Sequence, residues 1–123
     1  MTAISQNFDL DEFRCPCCGR VAVQPPFIAP LQSLRDAVGP ITVTSGFRCA
    51  EHNAQVGGVD FSSHLVGMAA DIVCPGLAPE QLAAFAERVS FERGGIGIYP
   101  VQGHVHVDLP FYGGPPRPAR WRK

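Results

Sequence analysis

Residues 104–108 read His104-Val105-His106-Val107-Asp108, a strict alternation of polar and apolar side chains. On a β-strand, positions i, i+2 and i+4 share a face. His104, His106 and Asp108 therefore project together, while Val105, Val107 and Leu109 turn toward a core. A strand that commits one whole face to two imidazoles and a carboxylate is unusual for packing alone, and it reads as one wall of a metal site. Upstream, Gly95-Ile96-Gly97-Ile98-Tyr99 is a glycine-rich strand and Pro100 to Gly103 a turn, so the two strands are expected to pair as a hairpin.

Working outward, Pro79 opens an amphipathic helix with Leu82, Phe85, Ala86 and Val89 on one side. Ala69 to Cys74 is a strand, preceded by a loop from Phe61 to Gly67. Ile41-Thr42-Val43-Thr44 is a short β-branched strand leading through Ser45-Gly46-Phe47-Arg48 to a short helix over Ala50 to Val56, which Gly57-Gly58 ends. A first helix carries Phe27, Ile28, Leu31, Leu34 and Val38 at helical spacing, with Pro25-Pro26 at its start and Gly39-Pro40 at its end. Phe8, Leu10 and Phe13 anchor an N-terminal arm. This order predicts an α+β fold, a small antiparallel sheet with helices packed on one face. A single domain spans residues 1–123, with an N-terminal arm (1–24) and a Pro/Arg-rich tail (113–123) that need not be ordered throughout.

Composition narrows the function. The chain has 123 residues, 46% of them apolar, enough for one core, and 12 prolines and 13 glycines that favour short elements and loops. A formal net charge of −1 provides no field to draw nucleic acid or an anionic membrane. No stretch approaches the roughly 20 apolar residues of a membrane span. MTAISQNFDLDEF lacks a basic segment followed by an apolar one, so the expectation is a monomer made in the cytoplasm without a signal peptide.

The 5 cysteines cannot all pair within the chain. Cys15-Pro16-Cys17-Cys18-Gly19 resembles half of a zinc knuckle, but no second CxxC or distal HxxxH completes it. Buried free thiols are the simpler reading; a second, structural metal or a disulfide at Cys15, Cys17 and Cys18 is the alternative.

A catalytic zinc site uses three protein ligands and leaves one position open. Asp71 lies in the apolar run Ala69-Ala70-Asp71-Ile72-Val73, where an unpaired carboxylate is costly to bury unless a metal or strong hydrogen bonds hold it. His64, Asp71 and one strand histidine make two imidazoles and a carboxylate, a set suited to hydrolytic zinc.

The run Ser63-His64-Leu65-Val66-Gly67-Met68-Ala69-Ala70-Asp71-Ile72 resembles the S-x-H-x-x-G-x-A-x-D motif of the zinc D-Ala-D-Ala metallopeptidases, cell-wall enzymes of the hedgehog/DD-peptidase fold that include carboxypeptidases and phage endolysins or tail peptidases. Thr44-Ser45-Gly46-Phe47-Arg48 is similar to the family's S-G-[YF]-R segment. Glu51-His52-Asn53 and Val56-Gly57-Gly58 fit the stretch behind it, and the final hairpin matches the family's closing one. The resemblance runs from about Phe8 to Asp108.

It implies His64, Asp71 and His106 as zinc ligands, His104 beside the reacting centre, and Arg48 on a substrate carboxylate or carbonyl, where a bidentate guanidinium suits the task. No E-x-x-H precedes His106, so the chain fits the H-x-H branch rather than the dipeptidase branch, and the general base is open. Asp108 is a candidate catalytic carboxylate or an acceptor that orients a histidine. Ser63 is a candidate substrate contact or a loop hydrogen-bonder, His52 a local cap, and Tyr99 either a core or a cleft residue. Trp121 among Arg117, Arg120, Arg122 and Lys123 reads as a docked aromatic on a solvated tail, or as a patch for anionic cell wall.

The implied function is a zinc peptidase cutting peptidoglycan stem peptides or cross-bridges, acting at the cell wall if a phage or another export route delivers it. Two alternatives are a catalytically silent, zinc-stabilised wall-binding module and an interaction domain built on the cysteine cluster.

Overall fold

The computed structural model describes residues 2–123. Five strands form one sheet: β1 (Thr42–Ser45), β2 (Ala69–Val73), β3 (Gly95–Tyr99), β4 (His104–Asp108) and β5 (Ala119–Arg122), in the order β1-β2-β4-β3-β5. The first four pair antiparallel. In β4 the alternation behaves as read: Val105 and Val107 are wholly buried with Ala70 and Ile72 of β2, while the histidines occupy the opposite face.

Helices α1 (Pro25–Val38) and α3 (Pro79–Val89) cover the apolar face and pack on each other. Pro25 and Pro26 sit in the first turn of α1, where a missing N–H has no helical acceptor to lose. Phe27, Leu31 and Leu34 of α1 meet Leu82 and Ala86 of α3 in the core, and the Phe27 and Phe91 rings lie 5.7 Å apart. The N-terminal arm docks through Phe8 and Phe13, whose rings are 6.1 Å apart. A 3₁₀ turn (Ser63–Val66), within the segment expected to be plain loop, lies toward the other face, with a short α2 (Ala50–Gln55) in contact with it. Among the described residues no helix is long and apolar enough to cross a membrane.

The structure refines two expectations. The tail keeps Arg120, Arg122 and Lys123 exposed and docks Trp121 as expected, but its last residues are ordered as β5. The mostly antiparallel sheet therefore has one parallel pair, in which β5 runs along β3 with Trp121 opposite Gly97. Space decides this, because a Cβ on Gly97 would lie 2.3 Å from Trp121 Nε1. Arg120 is likewise paired, its Nε and Nη2 each 2.7 Å from a Glu87 carboxylate oxygen. Of the cysteines, Cys15, Cys49 and Cys74 are buried free thiols, but Cys17 and Cys18 are exposed.

Candidate metal centre

Asp71 of β2 stands directly opposite His106 of β4 in the antiparallel register. The sheet itself thus aligns two of the expected ligands. His64 arrives from the 3₁₀ turn, which Ser62 caps by accepting from the His64 amide at 3.2 Å. Gly67 ends the turn with φ +73, a left-handed conformation that favours glycine. A Cβ there would also sit 2.5 Å from the Ala22 carbonyl. Counting back two residues from His64, the serine of the S-x-H spacing is Ser62, the same residue that caps this turn, and not Ser63.

Asp71 Oδ1 lies 3.2 Å from His64 Nε2 and 3.2 Å from His106 Nδ1. Nitrogen and oxygen ligands about 2.0–2.1 Å from a tetrahedral zinc are separated by about 3.3 Å. The three side chains, all buried and with ligand atoms within 4.8 Å of one another, therefore already hold two of the three edges of such a site. The remaining nitrogens face protein acceptors: His64 Nδ1 is 2.6 Å from the Gly46 carbonyl, and His106 Nε2 is 2.6 Å from Asp108 Oδ2. Those acceptors favour a proton on His64 Nδ1 and His106 Nε2, so loss of any proton from His64 Nε2 and His106 Nδ1, which face Asp71, would leave lone pairs for a metal.

Charge is distributed unevenly. Burial alone would raise the Asp71 pKa, but hydrogen bonds with His106 and His64 outweigh it and hold the carboxyl well below the usual range. Asp71 Oδ2 also accepts from Arg48 Nη2 at 3.0 Å. Burial pushes His64 down. It pushes His104 down as well. His106 feels the same burial, yet the Asp108 and Asp71 carboxylates raise it. Asp108 would be raised by burial but is drawn down by Arg117 and His106.

The expected site residues fall into two groups. His104, Arg48, Ser63 and the three ligand candidates border a cleft of about 630 Å³. His104 Nε2 is 3.7 Å from Asp71 Oδ2, and its ring stacks on Tyr99 at 4.6 Å. Arg48 is braced by Ser45 Oγ at 3.0 Å and Asn53 Oδ1 at 3.3 Å. Ser63 Oγ is buried without a hydrogen-bond partner among the described residues; the loop bond expected of it is made by Ser62. Asp108 shares the histidine face but does not border the cleft. It is wholly buried behind His106, with Arg117 Nε and Nη2 at 2.7 and 2.6 Å.

Sequence reasoning missed the tail's part. Trp121 lines the cleft, donates from Nε1 to Tyr99 Oη at 2.9 Å, and packs 5.2 Å from the His106 ring. Arg117 lines it too. The available signal was the pair of small residues Gly95 and Gly97 on the strand next to the histidines. A Cβ at Gly95 would meet Asp108 Oδ2 at 2.6 Å and Arg117 Nε at 2.7 Å.

Comparison with known proteins adds two findings. The zinc D-Ala-D-Ala carboxypeptidase of Streptomyces albus G is 40% identical over 80 residues, a stretch covering 63% of this chain and 31% of that protein. The chain thus matches less than a third of that relative's length. The profile of the peptidase M15 family matches residues 6–108, which include most of the arm, the Arg48 loop, the His64 turn and β4. A match over most of the chain, bearing the motif residues that converge on Asp71, places this protein in the peptidase M15 family.

Proposed function

We propose that this chain is a zinc-dependent peptidase that hydrolyses peptide bonds in peptidoglycan stem peptides or cross-bridges. One observation carries the reading: Asp71 Oδ1 is 3.2 Å from a nitrogen of both His64 and His106, at the edge of an open cleft. The Streptomyces relative, by its name a zinc D-Ala-D-Ala carboxypeptidase, supports the metal and the class of substrate.

His64, Asp71 and His106 would hold zinc, which when bound lowers the pKa of water toward about 7 and polarises a carbonyl. Asp108 keeps the His106 ring turned and its Nε2 protonated. His104, its pKa lowered by burial, is neutral near pH 7 and can take a proton at Nε2 from the attacking water and return it to the departing amine. Arg48 offers a guanidinium at the cleft wall for a substrate carbonyl or carboxylate. The unpartnered Ser63 hydroxyl is a further donor for the substrate backbone.

The test is mass spectrometry of defined muropeptides and purified sacculi after incubation with zinc-loaded protein. Cleavage products, lost in His106→Ala, are expected, and their masses identify the bond cut. Tight binding of the fragments without turnover would overturn the catalytic reading in favour of a wall-binding module.

A further inference from the structure

Behind the loop that carries Arg48, three more ligand atoms converge. The turn Cys15-Pro16-Cys17-Cys18-Gly19 closes through Gly19 N to the Cys15 carbonyl at 2.9 Å and Cys15 N to the Arg20 carbonyl at 2.8 Å. Its ends, Cys15 and Cys18, have the C-x₂-C spacing of zinc sites. The third sulfur belongs to Cys49, distant in sequence and next to Arg48. All three Sγ atoms lie within 4.8 Å of one another, with Cys15 and Cys49 at 3.7 Å.

That distance rules out a disulfide and fits two thiols in contact or two thiolates on one metal ion. A disulfide requires about 2.05 Å. Thiolates about 2.3 Å from a tetrahedral zinc stand about 3.8 Å apart. Each sulfur is also approached by a backbone N–H: Cys49 N to Cys15 Sγ at 3.5 Å, Arg20 N to Cys18 Sγ at 3.4 Å, and His52 N to Cys49 Sγ at 3.4 Å. Such donors stabilise negative sulfur, which metal binding needs because the thiols must lose their protons.

We propose that Cys15, Cys18 and Cys49 hold a second zinc ion, structural in role, with the exposed Cys17 on the same turn as the protein donor available for its fourth position. The ion ties the N-terminal arm to the loop behind the cleft. That loop already rests on the arm: Phe47 N bonds the Phe13 carbonyl at 2.8 Å, and a Cβ on Gly46 would lie 2.5 Å from Phe13 Cα. Gly46 in turn supplies the carbonyl that orients His64. The second ion would therefore brace both the His64 ring and the Arg48 side chain from outside the cleft. This proposal stands independently of the peptidase reading.

The test is metal analysis and cobalt(II) substitution of the full chain, prepared under reducing conditions. Two metal ions per chain are expected. A thiolate-to-cobalt charge-transfer absorption in the near ultraviolet should persist in His106→Ala and weaken in Cys18→Ser, whose exposed side chain makes the change tolerable to the fold. Cobalt-loaded, fully reduced wild-type protein without that absorption would overturn the proposal, with no variant needed. So would an undiminished absorption in Cys18→Ser, or a Cys15–Cys49 disulfide in protein isolated with one zinc.

Discussion

Arg117 Nη2 lies 2.6 Å from Asp108 Oδ2, and that same oxygen lies 2.6 Å from His106 Nε2. A residue of the C-terminal tail thus reaches a candidate metal ligand through one carboxylate. Arg117 and His106 together keep Asp108 ionised in a place where water cannot. The tail is part of the site's support, not an appendage to it.

Asp108→Asn removes that carboxylate while preserving its shape. The expected result is zinc binding weaker by about 10–100-fold, measured by competition with a chromogenic chelator. Arg117 then faces no anion in a mostly buried position, so stability should also fall by about 3–5 kcal/mol in urea denaturation. Unchanged zinc affinity would mean that the ring needs no outer acceptor.

Gly97→Ala tests how β5 is seated. The added methyl would overlap the Trp121 indole, at 2.3 Å from Nε1. Overpacking of this kind costs about 1–3 kcal/mol. Thermal denaturation should show the loss, with Trp121 fluorescence shifted to longer wavelength as the indole leaves Tyr99 and His106. An unaltered emission spectrum and Tm would show that β5 is not held by this fit.

Acid should destabilise the metal-free protein through Asp108. Its folded pKa lies below the unfolded value of about 3.9, so the unfolded chain binds the extra proton first. Its contribution is complete above about pH 4 and disappears as pH falls toward the folded value. Urea titrations between neutral and strongly acid pH should therefore show a steeper decline for wild type than for Asp108→Asn. Parallel curves would contradict the assignment.

Ending the chain at Gly113 removes Arg117, Trp121 and β5 together. Zinc affinity should drop at least as far as in Asp108→Asn. The exposed β3 edge should promote association, visible as increased light scattering. A monomeric truncated protein with full zinc affinity would restore the reading of this segment as a dispensable tail.

Several features were legible from residue order. The period of two in His104 to Asp108 placed both histidines on one face, because side-chain direction along a strand is set by local backbone geometry. A carboxylate in the otherwise apolar Ala69 to Val73 demanded a partner, and the structure supplies His106 from the facing strand. Helix limits followed from proline at the starts and Gly39 after the first helix. The exposure of Cys17 and Cys18 was less legible, since it depends on how a loop is folded back on its neighbours, whereas the register of the serine motif is set by residue count alone, with Ser62 two positions before His64.

By itself, the amino-acid sequence determined which residues are available and which face of a strand they share. Both are consequences of chain geometry over a few residues. Only the tertiary structure decided that His106 turns Nδ1 toward Asp71 and Nε2 toward Asp108, that Arg117 and Trp121 return to the same sheet, and that Cys49 joins Cys15 and Cys18. These relations cross the sheet or link distant segments. They arise from strand register and from the space left by missing Cβ atoms, which no local periodicity encodes.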